Sequence, residues 1–341
     1  MKAAVFTAVD RVEIRDLPIP VPDQGQVRLK VLGCGVCGTD VHIYSGHIRN
    51  AAPPVVLGHE IYGEVDAVGK GVVAVEPGER VVVDPFVFCG YCDFCKQAKY
   101  QFCRNEAFLG YQRPGGFAQY TIVPAVNTYK LDPGIDIRQA VLAETLSTVL
   151  AGLSKLAPET GGTAMILGAG TVGLLWNVLM KKHLTVTLIQ TELVNSRRSK
   201  ARARGADRVI NPSEEEPGNT VHELCPDGVD YLIDASGSTE AIEQALPLLA
   251  RGGTFLSFGI CPENQRLSLS LNWFYKQQIR FLTSRRPPRE MQLAVNLIEN
   301  KVLSIGDLTT GVYSLDELER AFERFTGARD EEIKMMIDPW R

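Results

Sequence analysis

The chain reads as an α/β protein in which a β-rich region is followed by a doubly wound parallel sheet. Three observations predict this. The first 150 residues alternate short β-rich runs with Gly/Pro breaks, and from about residue 160 the texture becomes a regular strand–helix alternation. A length of 341 residues suits two domains of about 150 residues each. With 45% hydrophobic and 22% charged residues, two buried cores are affordable.

In the β-rich part, residues 27–32, 63–68 and 80–83 read as strands, and Glu76-Pro77-Gly78-Glu79 and Arg113-Pro114-Gly115-Gly116 as turns. Farther on, 163–167 is an apolar strand, 171–182 a helix, 185–189 a strand and 196–204 a basic helix. Then come a strand at 231–233, a helix at 240–250 and a strand at 254–258. Parallel strands need crossover helices, so this order predicts a doubly wound sheet. The last fifty residues hold amphipathic helices at 290–299 and 314–325 and a strand at 333–337. That piece is too small for its own core and is expected to return to the first domain.

A net charge of −4 leaves no basic surplus to neutralise phosphates, so no nucleic acid is expected as a partner. No apolar run approaches the ~20 residues that span a bilayer, so no membrane is expected either. The start, Met1-Lys2-Ala3-Ala4-Val5-Phe6, runs at once into strand-like and charged residues without a signal-peptide core, and the expected location is cytoplasmic. Eight cysteines could form a disulfide set, but their clustering favours metal binding. Cys225 and Cys261 stand alone and read as buried small hydrophobes.

Cys89-x2-Cys92-x2-Cys95-x7-Cys103 is the strongest single signal. Four thiolates spaced this closely can wrap one tetrahedral Zn²⁺ with no open position, which makes a structural site. An iron–sulfur cluster or four unrelated thiols are the alternatives. Structural zinc is preferred because a second metal motif and a nucleotide motif accompany it.

Gly168-Ala169-Gly170-Thr171-Val172-Gly173 follows an apolar strand and opens a helix, the context that the Rossmann dinucleotide fingerprint demands. Gly168 makes the tight turn, Gly170 admits the pyrophosphate, and Gly173 lets helix and strand pack. Glu192, nineteen residues after Gly173, is placed to bond the adenosine ribose hydroxyls, which favours NAD over NADP. Arg197 and Arg198 pull the other way, since a basic pair can cradle a 2′-phosphate.

A second metal site is suggested by Cys37 in Gly35-Val36-Cys37-Gly38-Thr39-Asp40 and by the adjacent pair His59 and Glu60. A catalytic zinc needs mixed S/N/O ligands and an exchangeable position. Spacing alone would equally allow a buried structural His. The run Gly58-His59-Glu60-x2-Gly63-x5-Gly69-x2-Val72 resembles the zinc signature of the medium-chain alcohol dehydrogenases, and the four-cysteine lobe and glycine fingerprint follow in that family's order. The resemblance covers essentially the whole chain and is nearer the polyol (sorbitol-like) and threonine dehydrogenase branch than the ethanol-type enzymes.

The resemblance implies a GroES-like catalytic domain over 1–150, completed by 289–341, and a Rossmann domain over 151–288. It implies two zincs per subunit, the catalytic one held by Cys37, His59 and Glu60 with water or Glu144 nearby. Thr39 would accept the substrate proton and His42 pass it to solvent, whereas His47, His183 and His222 read as structural. It also places Arg197 by the adenine with NAD, Ser236 and Gly259 along the nicotinamide, and Arg285 by the substrate. The expected assembly is a homodimer or homotetramer. The zinc would acidify a substrate hydroxyl whose carbon gives a hydride to the nicotinamide.

Three functions follow: a dehydrogenase of polyols, sugar alcohols or their phosphates; an L-threonine 3-dehydrogenase-like amino-alcohol enzyme; or a non-enzymatic nucleotide binder. The last predicts loss of the catalytic ligands, and Cys37, His59 and Glu60 are all present.

Overall fold

The strand Gln26–Val36 shows why the first region folds as it does. Val27, Leu29 and Val31 turn inward while Arg28 and Lys30 stay half-buried, and burial becomes continuous from Gly33 to Val36. A period of two with one apolar face makes a half-covered antiparallel strand. The computed structural model describes every residue except Thr185, Pro262, Glu263, 286–289 and 327–331, and it leaves the side chains of His183 and Thr326 undescribed.

Two compact units emerge: Met1–Ser147 with Arg286–Arg341, and Thr148–Arg285. The division falls inside the helix Ala143–Leu156. The boundary read at 288/289 lies outside the described residues.

In the first unit Gln26–Val36 pairs antiparallel with Glu60–Val68, Tyr120–Pro124 and Lys334–Ile337. Arg80–Val83 and Thr128–Lys130 extend the sheet on one side and Thr309–Tyr313 on the other. Lys2–Ala8 pairs with Arg11–Asp16 and Val55–Val56 in a smaller sheet. Val27, Leu29, Val31, Ile61, Val81, Phe117 and Phe322 share one core. The helix read at 314–325 is a 3-10 turn, Leu315–Glu317, running into the α-helix Leu318–Thr326. Ser314 and Glu317 form its capping box.

The second unit is a parallel sheet in the order Arg208–Ile210, Thr187–Thr191, Thr163–Leu167, Val229–Asp234, Leu249–Ser257, Arg280–Thr283. This is the doubly wound order expected of a dinucleotide fold. The edge strands Arg208–Ile210 and Arg280–Thr283, and Thr309–Tyr313 in the first unit, escape a periodicity reading because they are short or lack a clean apolar pattern.

One expected helix is too long. Instead of 240–250, the α-helix is Thr239–Ala245, a 3-10 turn covers Leu246–Leu248, and Leu249 already begins a strand. Pro247 has no N–H to continue the ladder. The strand read at 185–189 is Thr187–Thr191. Cys225 is buried as expected, but Cys261 sits at the core's margin, half-exposed.

Candidate functional site

Cys37 leaves the long central strand and becomes the N-cap of the helix Gly38–Tyr44. Its backbone N–H donates to Asp40 Oδ2 at 2.9 Å. The fully buried Asp40 uses Oδ1 to accept from the Gly58 N–H and from His59 Nδ1, both at 3.2 Å. One carboxylate thus joins the Cys37 turn to the His59 ring and leaves Nε2 for a metal. Burial acts to lower the His59 pKa, but Tyr111 and Asp40 outweigh it and hold the imidazole well above its ordinary range. A metal at Nε2 competes with that proton.

The ligand atoms of Cys37, His59 and Glu60 all lie within 4.8 Å of one another. Glu60 pairs across the sheet with Gly35, where an added Cβ would stand 1.9 Å from Glu60 Oε2. Only glycine lets the carboxylate occupy this position. Thr145 Oγ1 donates to Glu60 Oε1 at 2.6 Å. The Lys334 ammonium, 3% exposed, pairs with the same carboxylate and donates to the Val36 carbonyl at 3.2 Å. Glu60 Oε2 lies against that ammonium yet receives no directed hydrogen bond, so a lone pair is available to a cation. The S, N and O donors fit an open zinc site.

Glu144 is buried but does not belong to this cluster. Desolvation is the main reason its carboxyl rises to about 7; His59 lowers it and Glu60 raises it. Thr39 lies on the first turn after Cys37, with the Cys37 thiol 3.7 Å from its Oγ1. His42 sits on the last turn, half-buried, with its ring 5.9 Å from that of His47. His59 is flanked edge-on by Phe108 and Tyr111, each 5.5 Å away between ring centroids.

Cys89, Cys92, Cys95 and Cys103 form the other cluster, again with all sulfurs within 4.8 Å. The Cys92–Cys95 and Cys89–Cys95 sulfur separations are 3.5 and 3.9 Å. A tetrahedron with Zn–S bonds of about 2.3 Å has edges of about 3.8 Å, so the four thiols fit one zinc. N–H groups of Arg104 and Cys95 pull the Cys92 thiol down to about 6, toward the thiolate that a metal needs.

In the second unit the strand Thr163–Leu167 ends at Gly168, whose φ is +93°, and the helix Thr171–Leu184 begins three residues later. A Cβ on Gly173 would come 2.1 Å from the Gly168 carbonyl, whereas one on Gly170 would meet nothing within 4 Å. Gly173 is therefore closed by packing, and Gly170 is open to a ligand. Thr171 and Val172 open the helix. Glu192, just beyond Thr187–Thr191, accepts from the Ala169 N–H at 2.7 Å and the Val194 N–H at 2.9 Å. Its carboxylate thereby reaches the glycine turn.

Arg197 is partly buried on the helix Asn195–Ala203, while Arg198 donates to the Glu192 and Leu193 carbonyls. Ser236 donates through Oγ to the fully buried Asp234 at 2.8 Å. A Cβ on Gly259 would stand 2.7 Å from Asp234 Oδ2, so both named loops converge on this carboxylate. Arg285 is an exposed residue two positions past Arg280–Thr283.

Asp40, Thr145 and Lys334 were not singled out by sequence reasoning, whereas Tyr111 falls in the stretch 108–113, which reads as a polar and aromatic pocket loop. A lysine inside the apolar run Ile333-Lys334-Met335-Met336-Ile337 was a usable signal, and Cys37-x2-Asp40 has capping-box spacing. Nothing local marks Thr145.

Residues 23–133 match the alcohol dehydrogenase GroES-like domain, and residues 171–300 match the zinc-binding dehydrogenase family. The L-threonine 3-dehydrogenase of Pyrococcus furiosus is 33% identical over 95% of this chain and 95% of its own. The sorbitol dehydrogenase of Halalkalibacterium halodurans is 31% identical over 99% of each. Among solved structures, a zinc-binding dehydrogenase of Sinorhizobium meliloti 1021 bound to NADP superposes with a TM-score of 0.93 at 30% identity, over 99% of both chains.

Proposed function

The chain belongs to the zinc-dependent medium-chain alcohol dehydrogenases, in the polyol and threonine branch, and on that premise we propose that it oxidises a secondary hydroxyl of a polyol, a sugar alcohol or its phosphate with NAD. The observation that carries this reading is the mixed-donor cluster of Cys37, His59 and Glu60 with an open lone pair on Glu60. A zinc held there supplies Lewis acidity for the substrate oxygen, and NAD held at the glycine turn supplies the hydride acceptor.

The chain's own residues do the rest. Asp40 holds the His59 ring in one orientation, and Lys334 with Thr145 holds the buried Glu60 carboxylate in place. Thr39 takes the proton of the substrate hydroxyl, and His42, three residues on and on the same helical face, carries it outward. Glu144 is a carboxyl beside the metal site, able to receive a proton or to enter the ligand set. Gly168, Gly170, Thr171, Val172 and Gly173 cradle the pyrophosphate at a helix N-terminus. Glu192 takes the ribose hydroxyls, Arg197 lies by the adenine, and Ser236 and Gly259 line the nicotinamide. Arg285 meets a polyhydroxylated or phosphorylated end of the substrate.

The second zinc, in the Cys89–Cys92–Cys95–Cys103 lobe, is structural. We infer a cytoplasmic homodimer or homotetramer. Among the described residues no helix is long and apolar enough to cross a membrane. NADP is the weaker alternative, with the NADP-bound relative in its favour and Glu192 against it. Oxidation of L-threonine is the second reading, favoured by the 33% identical relative. Zinc-loaded protein with NAD or NADP is to be assayed for reduced nicotinamide over polyols, sugar-alcohol phosphates and L-threonine. Turnover of a polyol class supports the first reading, turnover of L-threonine alone replaces it with the second, and no turnover of any overturns both.

A further inference from the structure

We propose that His47 is the outer member of a two-histidine proton relay, taking from His42 the proton released at each turnover and passing it to solvent. This rests on the role given to His42 above. His42 is half-buried on the last turn of Gly38–Tyr44, so a proton that reaches it needs an exit. His47 is exposed, and its ring stands edge-on to that of His42 with centroids 5.9 Å apart and planes at 86°. Across such a gap a proton would pass between the rings through a bridging water.

The tautomer of His47 follows from its hydrogen bond with Ser45. Ser45 Oγ lies 2.7 Å from His47 Nδ1 and 2.9 Å from the Val41 carbonyl. A hydroxyl has one hydrogen, and the carbonyl can only accept. With that hydrogen on Val41, Ser45 accepts from His47, so Nδ1 carries the proton and Nε2 is left as a base. The back-bonded serine thus sets the tautomer that a relay requires.

Burial lowers the His42 pKa first, and a charged His47 lowers it further. A proton on His47 therefore makes the half-buried His42 release its own more readily. The other charged groups packed around this helix lie elsewhere. Glu319 bonds Tyr44 Oη at 3.2 Å, and Glu323 and Asp10 act on Tyr44 as well. Arg49 turns its Nε to the Gly46 carbonyl. The step balances: the substrate would give a hydride to NAD and a proton to the relay, and the exposed His47 imidazolium formed when Nε2 gains that proton returns one proton to bulk water.

The test uses zinc-loaded enzyme and the best alcohol from the substrate panel. His47→Asn is expected to lower kcat for oxidation about 5- to 20-fold in dilute buffer, with KM little changed and with rescue by added imidazole or concentrated buffer. His42→Asn should lower kcat at least as much. Unchanged kcat and buffer dependence in His47→Asn, while His42→Asn is impaired, overturns the relay. If His42→Asn is itself unimpaired, the role of His42 in the function above fails, and the relay with it. A readout free of turnover is the ¹⁵N chemical shift of the His47 ring: a neutral Nδ1–H tautomer, lost in Ser45→Ala, supports the assignment. An Nε2–H tautomer in the wild type contradicts it.

Discussion

Lys334 and Asp84 are buried charged residues that act by different physics. Removing Lys334 leaves the buried Glu60 without its ion-pair partner, a change that costs about 3–5 kcal/mol where only one partner of a buried pair is deleted. Lys334→Met should therefore lower the denaturation midpoint of the zinc-free protein, and adding Glu60→Gln should restore part of it. A double variant no more stable than Lys334→Met would show that the pair is not coupled. Among the described residues Asp84 has no cationic partner, and burial lifts its carboxyl to about 7 from an ordinary 3.8, against the Phe86 N–H that lowers it. The folded protein binds this proton more tightly than the unfolded chain. The stability it brings is thus complete below about pH 4 and lost as pH rises through 7, on the order of 2–4 kcal/mol in all. Asp84→Asn should gain on the wild type in denaturant midpoint between pH 5 and pH 8, and a difference that stays constant over that range would contradict this origin. At this scale, residues with patterned spacing were legible. His59 and Glu60 stand in a run that resembles a zinc signature and Cys37 in a glycine-flanked turn, whereas Asp40, Thr145 and Lys334 were not read as members of the site, and the folded sheet brings Thr145 and Lys334 to it from distant segments.

At the scale of elements, the glycine turn separates packing from binding. A Cβ on Gly173 meets the Gly168 carbonyl at 2.1 Å, but one on Gly170 meets open space. Gly173→Ala should lower the melting temperature and nucleotide affinity together. Gly170→Ala should keep the melting temperature within about 2 °C yet weaken NADH binding roughly 10-fold or more, read by fluorescence titration. Equal NADH affinity in Gly170→Ala would remove the pyrophosphate from this turn. The strand–turn–helix around Gly168 was legible because an apolar strand, three glycines and a helix start fall in order. The helix at 240–250 was overextended because its apolar pattern continues through Pro247, where the backbone cannot. Arg208–Ile210 and Arg280–Thr283 were missed, since sheet pairing rather than local composition makes them strands.

Across the whole molecule, two clusters of candidate metal ligands differ in the task each suits. Cys89, Cys92, Cys95 and Cys103 would satisfy one zinc with four sulfurs and tie down a loop that has little core of its own beyond Phe86 and neighbouring aromatics. Cys95→Ser should therefore lose one zinc and lower thermal stability, by mechanisms common to structural zinc sites. Cys37, His59 and Glu60 offer three ligands and leave a position open, which is the arrangement for chemistry. The most direct test measures zinc per chain and alcohol-dependent nicotinamide reduction in the wild type and in Cys37→Ser. The expected result is two zincs and turnover in the wild type, with one zinc, an unchanged circular dichroism spectrum and turnover lowered about 10³-fold or more in Cys37→Ser. Retention of both zincs together with turnover in Cys37→Ser would contradict the account.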